Sequence, residues 1–274
     1  MRKEASLPIG VDALRQQLVE ESVLQAWEHH DTIDSTNRRA AVLGREGAAG
    51  VSLVTAECQS AGRGRQGRVW ESPARRNFYG SFVLRPKVAQ ANLAPITLVA
   101  ALAVAEALAT MGVADAQIKW PNDVLLQGRK VAGILTELDH DVAGGFFVVV
   151  GIGVNLNLTT AEFPPELRDK ATSVAEHSGA VVDRTAFVAA LARCLVSEMS
   201  RFEQRGFAGM REAYESRHVL QGQEVRVTGG ESLTGRVLGI DEGGALLLST
   251  ARGPRAVHAG EVSLASTYGN LPKA

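Results

Sequence analysis

Apolar positions recur along the chain with two different periods, and each change of period marks a new element. Residues 11–20 (VDALRQQLVE) have the pattern of a short amphipathic helix. The polar run Asp34-Ser35-Thr36-Asn37 supplies small N-cap residues before a helix-compatible stretch that reaches about Leu43. Residues 51–57 predict a strand. From Cys58 to Trp70 the pattern breaks into Gly and Arg, which predicts a loop. A strand resumes over 77–86. Residues 93–111 are rich in Ala and Leu with no internal Gly, so they predict a buried helix. Ile118-Lys119-Trp120 and then 124–138 read as strands around the turn Gln127-Gly128, and 145–154 as a further apolar strand. Phe187, Leu191, Leu195, Met199 and Phe202 share one face of a long helix over about 185–205.

After His218 the rhythm changes. Short strands at 225–227, 236–240, 245–249 and 255–259 are separated by glycines, the pattern of a small β-barrel. The expected organisation is an N-terminal extension with a short helix (1–30), a mixed α+β catalytic domain (31–218) and a small SH3-like barrel (219–274).

Composition narrows the class. The 274 residues are 45% apolar, enough to bury a sizeable core, and the formal net charge of -1 argues against a surface built for nucleic acid. Cys58 and Cys194 fit neither a disulfide framework nor a zinc site, which points to a reducing compartment. The N-terminus has basic residues but no apolar h-region, and the apolar stretch 97–109 is interrupted by Glu106. The expectation is a cytoplasmic protein that engages no membrane.

The chemistry concentrates in two clusters. Gly62-Arg63-Gly64-Arg65-Gln66-Gly67 fits the dinucleotide pattern G-x-G-x-x-G, but the context excludes that reading. Such a fingerprint opens a helix and is followed by an acidic residue for the ribose. Here Pro73 and a strand follow, and the later neighbourhood is Arg85-Pro86-Lys87. What remains is a glycine-rich loop carrying Arg63, Arg65 and Arg68, with Trp70 just beyond. Arginine forks pair with carboxylates and phosphates, and a tryptophan can stack on a purine. By itself the cluster is equally a solvated basic loop or a nucleic-acid patch. With few apolar side chains to pin it and three cations that repel one another, the loop is expected to be mobile until anions arrive.

In the second cluster, Lys119-Trp120-Pro121-Asn122-Asp123 turns from one strand into the next, which sets Asn122 and Asp123 at a corner facing a cleft. Lys130 opens an otherwise apolar strand that carries Gly133, and a glycine there marks close approach of a ligand or a backbone. Alone, Lys130 is also readable as a snorkelling strand-end lysine. Gly151-Ile152-Gly153-Val154-Asn155 is readable as a bulge or turn.

Taken together and in this order, the segments resemble the bacterial biotin–protein ligases. They are Asp34 to Asn37, Gln59 to Arg68 with Trp70, Lys119 to Asp123, Gly128 to Leu135 with Glu137, and Gly151 to Asn155. The resemblance implies a mixed-sheet fold of the class II synthetase-like biotin/lipoate ligase type, and the family also carries a C-terminal barrel. It implies ATP and biotin as substrates, Mg2+ as a requirement, and a lysine on a biotin carboxyl carrier domain as acceptor. A homodimer through sheet edges stays open. Biotin contacts implied are Ser35, Thr36, Asn37, Gln59, Gly62, Arg63, Arg65, Lys130, Gly133, Gly151 and Gly153. ATP contacts implied are Arg63, Arg65, Arg68, Trp70, Asn122 and Asn155, with Trp70 against the adenine. Arg65, Lys130 and Asp123 are the implied catalytic set, and metal ligands are not implied. Two rival readings are a lipoate–protein ligase, which shares the fold and the two-step chemistry, and a biotin-responsive DNA-binding regulator. The Gly-Arg-Gly-Arg loop followed by Lys-Trp-Pro-Asn-Asp favours biotin over lipoate. The stretch before Ser35 is short for the helix-turn-helix domain of the repressor members, so the resemblance is to the ligase-only form.

Overall fold

The structure, a computed structural model, describes residues 9–230 and 232–264. The outermost parts of the two expected terminal regions, 1–8 and 265–274, lie outside the described residues. The main sheet has seven strands: β1 (Ala26–Ile33), β2 (Ser52–Gln59), β3 (Phe78–Leu84), β4 (Gln117–Lys119), β5 (Asp123–Leu126), β6 (Arg129–His140) and β7 (Phe146–Val154). Their order is β1-β2-β3-β7-β6-β5-β4, parallel between β1 and β2 and antiparallel elsewhere. The helices are α1 (Val11–Glu20), α2 (Thr36–Arg45), α3 (Ile96–Thr110), α4 (Val174–Ser178), α5 (Arg184–Arg205) and α6 (Arg211–Glu215).

Strand alternation decides what lies on each side of the sheet. Ala132 and Ile134 of β6, and Val148, Val150, Ile152 and Val154 of β7, join the main core beneath α3 and α5. Their neighbours in sequence point the other way. Phe147 and Val149 meet Ala40 of α2 there, with Val54 and Val83 from adjacent strands. Gly133, Gly151 and Gly153 share the parity of Phe147 and Val149, so this second face is floored by backbone where the glycines fall. α3 is buried almost all round, as its Ala- and Leu-rich sequence predicts.

Five further strands, β8 (Glu224–Thr228), β9 (Leu233–Ile240), β10 (Leu246–Thr250), β11 (Gly253–Val257) and β12 (Glu261–Leu264), form a separate antiparallel sheet in the order β11-β10-β9-β8-β12. This matches the expected C-terminal β module and adds β12. The first region differs from expectation. β1 pairs with β2 along Ala26–Ile33, so 26–30 belong to the main sheet, and Leu14 and Leu18 of α1 are buried in its core. Among the described residues no helix is long and apolar enough to cross a membrane.

A buried ion pair fastens the N-terminus of α5 to the sheet. Arg184 Nη2 donates to Glu57 Oε2 at 2.5 Å, with both side chains nearly inaccessible. Burial pushes the Glu57 carboxyl up. Hydrogen bonds from His29 and the Ile9 amide, and the Arg184 charge, outweigh it and hold the carboxyl below its usual range.

His218 lies where the helical region meets the second sheet. It is 5% exposed, its ring centroid is 5.5 Å from that of Tyr214, and neither ring nitrogen has a hydrogen-bond partner among the described residues. Burial pushes its pKa down from 6.5 to about 4. The unfolded chain therefore binds the proton first as pH falls. The stability of the neutral buried ring is complete above about 6.5 and is lost progressively from there down to about 4. At 1.36 kcal/mol per unit, that is about 3 kcal/mol over the whole interval, of which about 2–3 kcal/mol is lost by pH 4.5. Urea unfolding at pH 7.5 and pH 4.5 is expected to show His218→Phe losing about 2–3 kcal/mol less than the parent across the interval. Equal losses would remove His218 as an acid-labile point of the fold.

Candidate functional site

A cleft of about 250 Å³ opens on the glycine-bearing face of the main sheet. Its lining gathers Ser35, Thr36, Asn37, Gln59, Arg63, Arg65, Arg68, Trp70, Asn122, Asp123, Lys130, Gly133, Gly151 and Gly153 from five separate stretches of sequence. Two expected members do not line it. Asn155 is 6% exposed and its amide is spent inside the fold, donating to the Thr172 carbonyl at 3.2 Å and accepting from Asn77 at 3.4 Å. Gly62 lies behind the wall, packed against the Trp70 carbonyl, Ser72 and Gln59.

One end of the cleft is polar and tightly wired. Ser35 occupies the N-cap position of α2, but its side chain makes no capping bond. Gln59 Oε1 accepts from the Thr36 amide at 2.9 Å and from Thr36 Oγ1 at 3.1 Å. Ser81 Oγ lies 2.8 Å from Thr36 Oγ1 and 2.6 Å from Asn37 Oδ1, and Asn37 Nδ2 donates to Glu137 at 2.9 Å. Gly151 is required by this arrangement, because a Cβ there would collide with the Asn37 amide.

The other end is cationic. Lys130 Nζ sits 2.6 Å from Asp123 Oδ1, with both side chains partly exposed, and 5.4 Å from the centre of the Trp70 ring. Asn122 is held by a donated bond to the Ile134 carbonyl at 3.0 Å, which turns its Oδ1 to accept from Arg65 at 2.9 Å.

The arginine loop covers the cleft as a small folded hairpin. Trp70 N donates to the Gly62 carbonyl at 3.0 Å and Gly64 N to the Arg68 carbonyl at 2.8 Å. Gln66 and Gly67 take left-handed backbone angles at the tip (φ 55° and 75°). The sequence predicts a loop that waits for incoming anions, but its arginines already meet acceptors from the protein itself. Arg63 pairs in bidentate fashion with Glu137 (2.9 and 3.2 Å), Arg65 reaches Asn122 and the Gly260 carbonyl, and Arg68 meets Glu261. Glu137 comes from β6, Glu261 from the start of β12 and Gly260 from the residue before it, so the second sheet completes the cleft. No local signal announces these partners, since Arg68 and Glu261 lie 193 positions apart. Lys119, Glu261 and Val262 also line the cleft and were not among the expected contacts. Only Lys119 had a signal, its place beside Trp120 in an already suspect motif.

Trp70 is placed differently from a free purine platform. Its indole lies on Gly133 and Gly153, so that a Cβ at either position would run into the ring. The indole N–H is buried and without a partner among the described residues. Among the described residues, no group of three or more His, Cys, Asp or Glu side chains is arranged to hold a metal ion.

Comparison with known proteins agrees with this geometry. Residues 30–157 match the biotin/lipoate A/B protein ligase family, and 221–265 match the biotin protein ligase C-terminal domain. The chain is 41% identical to the biotin–[acetyl-CoA-carboxylase] ligase of Paracoccus denitrificans, over 84% of this chain and 96% of that one. It is 32% identical to the enzyme of the same name from Mycobacterium tuberculosis, over 93% and 95%. A solved biotin protein ligase from Aquifex aeolicus, in complex with biotin and ATP, superposes with a TM-score of 0.78 at 33% identity, covering 88% of this chain and 99% of that one. The chain belongs to the biotin protein ligase family.

The two cleft glycines predict different costs. In Gly151→Ala the new methyl meets Asn37, which Ser81 and Glu137 hold from two sides, so about 1–3 kcal/mol of stability is expected to be lost. In Gly153→Ala it meets Trp70, which sits at the end of an exposed hairpin and can swing away. The expected result there is a smaller loss together with a red shift in tryptophan emission. Thermal melts and fluorescence of both variants check this, and the reverse ranking would show that Trp70, not Asn37, is the rigid wall.

Proposed function

We propose that this chain activates biotin with ATP to biotinyl-5'-AMP and then transfers biotin to a lysine of a biotin carboxyl carrier domain. The observation that carries the reading is the convergence of Arg63, Arg65, Arg68 and Lys130 on one cleft whose opposite end is lined by Ser35, Thr36, Asn37 and Gln59. A polar, uncharged end suits a ureido ring. A cationic end suits two anions that must be brought together.

The first step joins a biotin carboxylate oxygen to the α-phosphorus of ATP and expels pyrophosphate. Repulsion between the carboxylate and the triphosphate opposes it. Lys130 and the loop arginines offset that repulsion by exchanging Asp123, Glu137 and Glu261 for the incoming anions. In this reading Ser35, Thr36 and Gln59 bond the ureido ring, and Asn37 shapes its seat. The fused rings lie against the Trp70 indole, which covers the glycine floor at 133 and 153, so Trp70 is their wall instead of a stacking platform for adenine. Arg65 bridges carboxylate and α-phosphate, and Asn122 orients Arg65. The hairpin shields the mixed anhydride from water. In the second step a neutral lysine amine attacks the acyl carbon, AMP leaves, and the amine gives up a proton. Asp123, released from Lys130, orients that amine. Magnesium, which the triphosphate brings, would be held by phosphate oxygens and at most the Asp123 carboxylate, and supplies charge neutralisation there. The two free cysteines, Cys58 and Cys194, accord with a cytoplasmic setting.

The deciding experiment incubates the purified chain with magnesium, ATP and either biotin or lipoate, and measures released pyrophosphate. Biotin-dependent release is expected. No release with either acid from folded protein would sink the proposal, and release with lipoate alone would replace it. In the same assay Lys130→Ala is expected to bind biotin at least tenfold more weakly, about 1.5–3 kcal/mol, with the melting curve preserved. Unchanged affinity and rate would return Lys130 to a solvated strand end.

A further inference from the structure

Ser72 does not line the cleft, yet it joins two of its walls. Its hydroxyl is 3.0 Å from Gln59 Nε2 and 2.9 Å from the Trp70 carbonyl, and the residue is 7% exposed. The direction of each bond is forced. The Thr36 amide can only donate, and it meets Gln59 Oε1, so the Gln59 amino group faces Ser72. Ser72 Oγ must accept from that group, which commits its single proton to the Trp70 carbonyl. An unbroken donor–acceptor chain thus runs from the N-terminus of α2 through Gln59 and Ser72 to the neck of the arginine hairpin. Trp70 N in turn holds the Gly62 carbonyl at 3.0 Å, so both sides of the neck are tied to the same hydroxyl. The junction is too tight for a side chain at position 62. A Cβ there would collide with the Trp70 carbonyl, with Ser72 Oγ at 2.8 Å and Gln59 Nε2 at 3.1 Å.

We propose that Ser72 is a positioning residue that couples the ureido end of the cleft to closure of the arginine hairpin. One hydroxyl fixes the Gln59 amide in a single orientation and anchors the loop neck. This rests on Gln59 being a biotin contact. Without the hydroxyl, the Gln59 amino group loses its acceptor and the amide can rotate, while the Trp70 carbonyl loses its donor and the neck loosens. The consequence falls on the loop, and most heavily on biotin, which meets both Gln59 and the loop, while ATP meets the loop alone.

Two measurements test it, on Ser72→Ala, Ser72→Thr, Gln59→Ala and the Ser72→Ala/Gln59→Ala double variant, each with its melting curve recorded. The first is trypsin cleavage at Arg68 without any ligand. Ser72→Ala is expected to be nicked at least threefold faster than the parent, with Ser72→Thr restoring the parent rate. The second is calorimetric binding of biotin and of ATP. Ser72→Ala is expected to weaken biotin at least tenfold and ATP at least threefold less than biotin, and to cost biotin much less once Gln59 is already Ala. An unchanged nicking rate overturns the anchoring role. Equal losses for biotin and ATP, or full additivity with Gln59→Ala, overturn the coupling. A parent protein that binds no biotin overturns the biotin reading instead, and the cleavage arm still decides the anchor. If Ser72→Ala does not fold, Ser72→Cys, which keeps the volume but weakens both bonds, reads the same quantities.

Discussion

Four cations gathered over one small cleft repel one another, and that repulsion has to be met before any ligand arrives. Arg63, Arg65, Arg68 and Lys130 come from one hairpin and one strand end, and each is answered by a group from elsewhere: Glu137, Asn122, Glu261 and Asp123. Much of the architecture can be understood as the means of delivering these four acceptors. β6 carries Glu137 at the spacing that turns it toward the cleft with Gly133. The β4–β5 corner presents Asn122 and Asp123 together. The second sheet is packed so that Glu261 reaches the hairpin, with Trp120 of the corner donating to the Gly244 carbonyl at 3.1 Å to hold the two sheets in place.

The cleft itself follows from period-two alternation. A strand that buries Val148, Val150, Ile152 and Val154 on one face must turn its intervening positions to the other. Where those positions are Phe147 and Val149, α2 covers them. Where they are Gly151 and Gly153, there is only backbone, and the space is taken by Asn37 and by the Trp70 indole. The same strand thus makes core along one half of a face and a binding floor along the other, with no break in its hydrogen bonding.

That alternation explains what the chain discloses before folding and what it withholds. Most apolar elements were legible: the helices at 11–20 and 185–205, the Ala-rich buried helix, the strands over 51–57 and 145–154, and most of the C-terminal strands. β1 was not, because AWEHHDTI is a polar edge strand in which only Trp27 is buried. Pairing with β2, not alternation, makes it a strand. At the cleft, glycines and basic residues were visible through local grouping. Glu261 and Ser72 were not singled out, and Glu137 was named only as part of the resemblance and given no role, since each matters through a partner 13 to 193 positions away. Asn155 was misplaced for the complementary reason. It follows the last residue of β7 in the parity of Gly151 and Gly153, but lies beyond the end of the strand, where the fold uses its amide to bind Asn77 and the segment at Thr172.

The strengths of these contacts differ in a way that matters for catalysis. Glu57 and Arg184 are almost inaccessible, and removing either partner would strand a charge in the core, so that pair has a structural role. The cleft pairs are different: Arg63–Glu137, Arg68–Glu261 and Lys130–Asp123 all retain a quarter to two thirds of their side-chain exposure on at least one side. Exposed pairs of this kind contribute about 0–1 kcal/mol each. That is enough to keep like charges apart in the resting cleft, and too little to compete with a phosphate or carboxylate delivered into a closing, water-poor site. The carboxylates therefore act as placeholders, and exchange of one anion for another lets the hairpin bind its ligand without first paying the full cost of ordering a disordered loop.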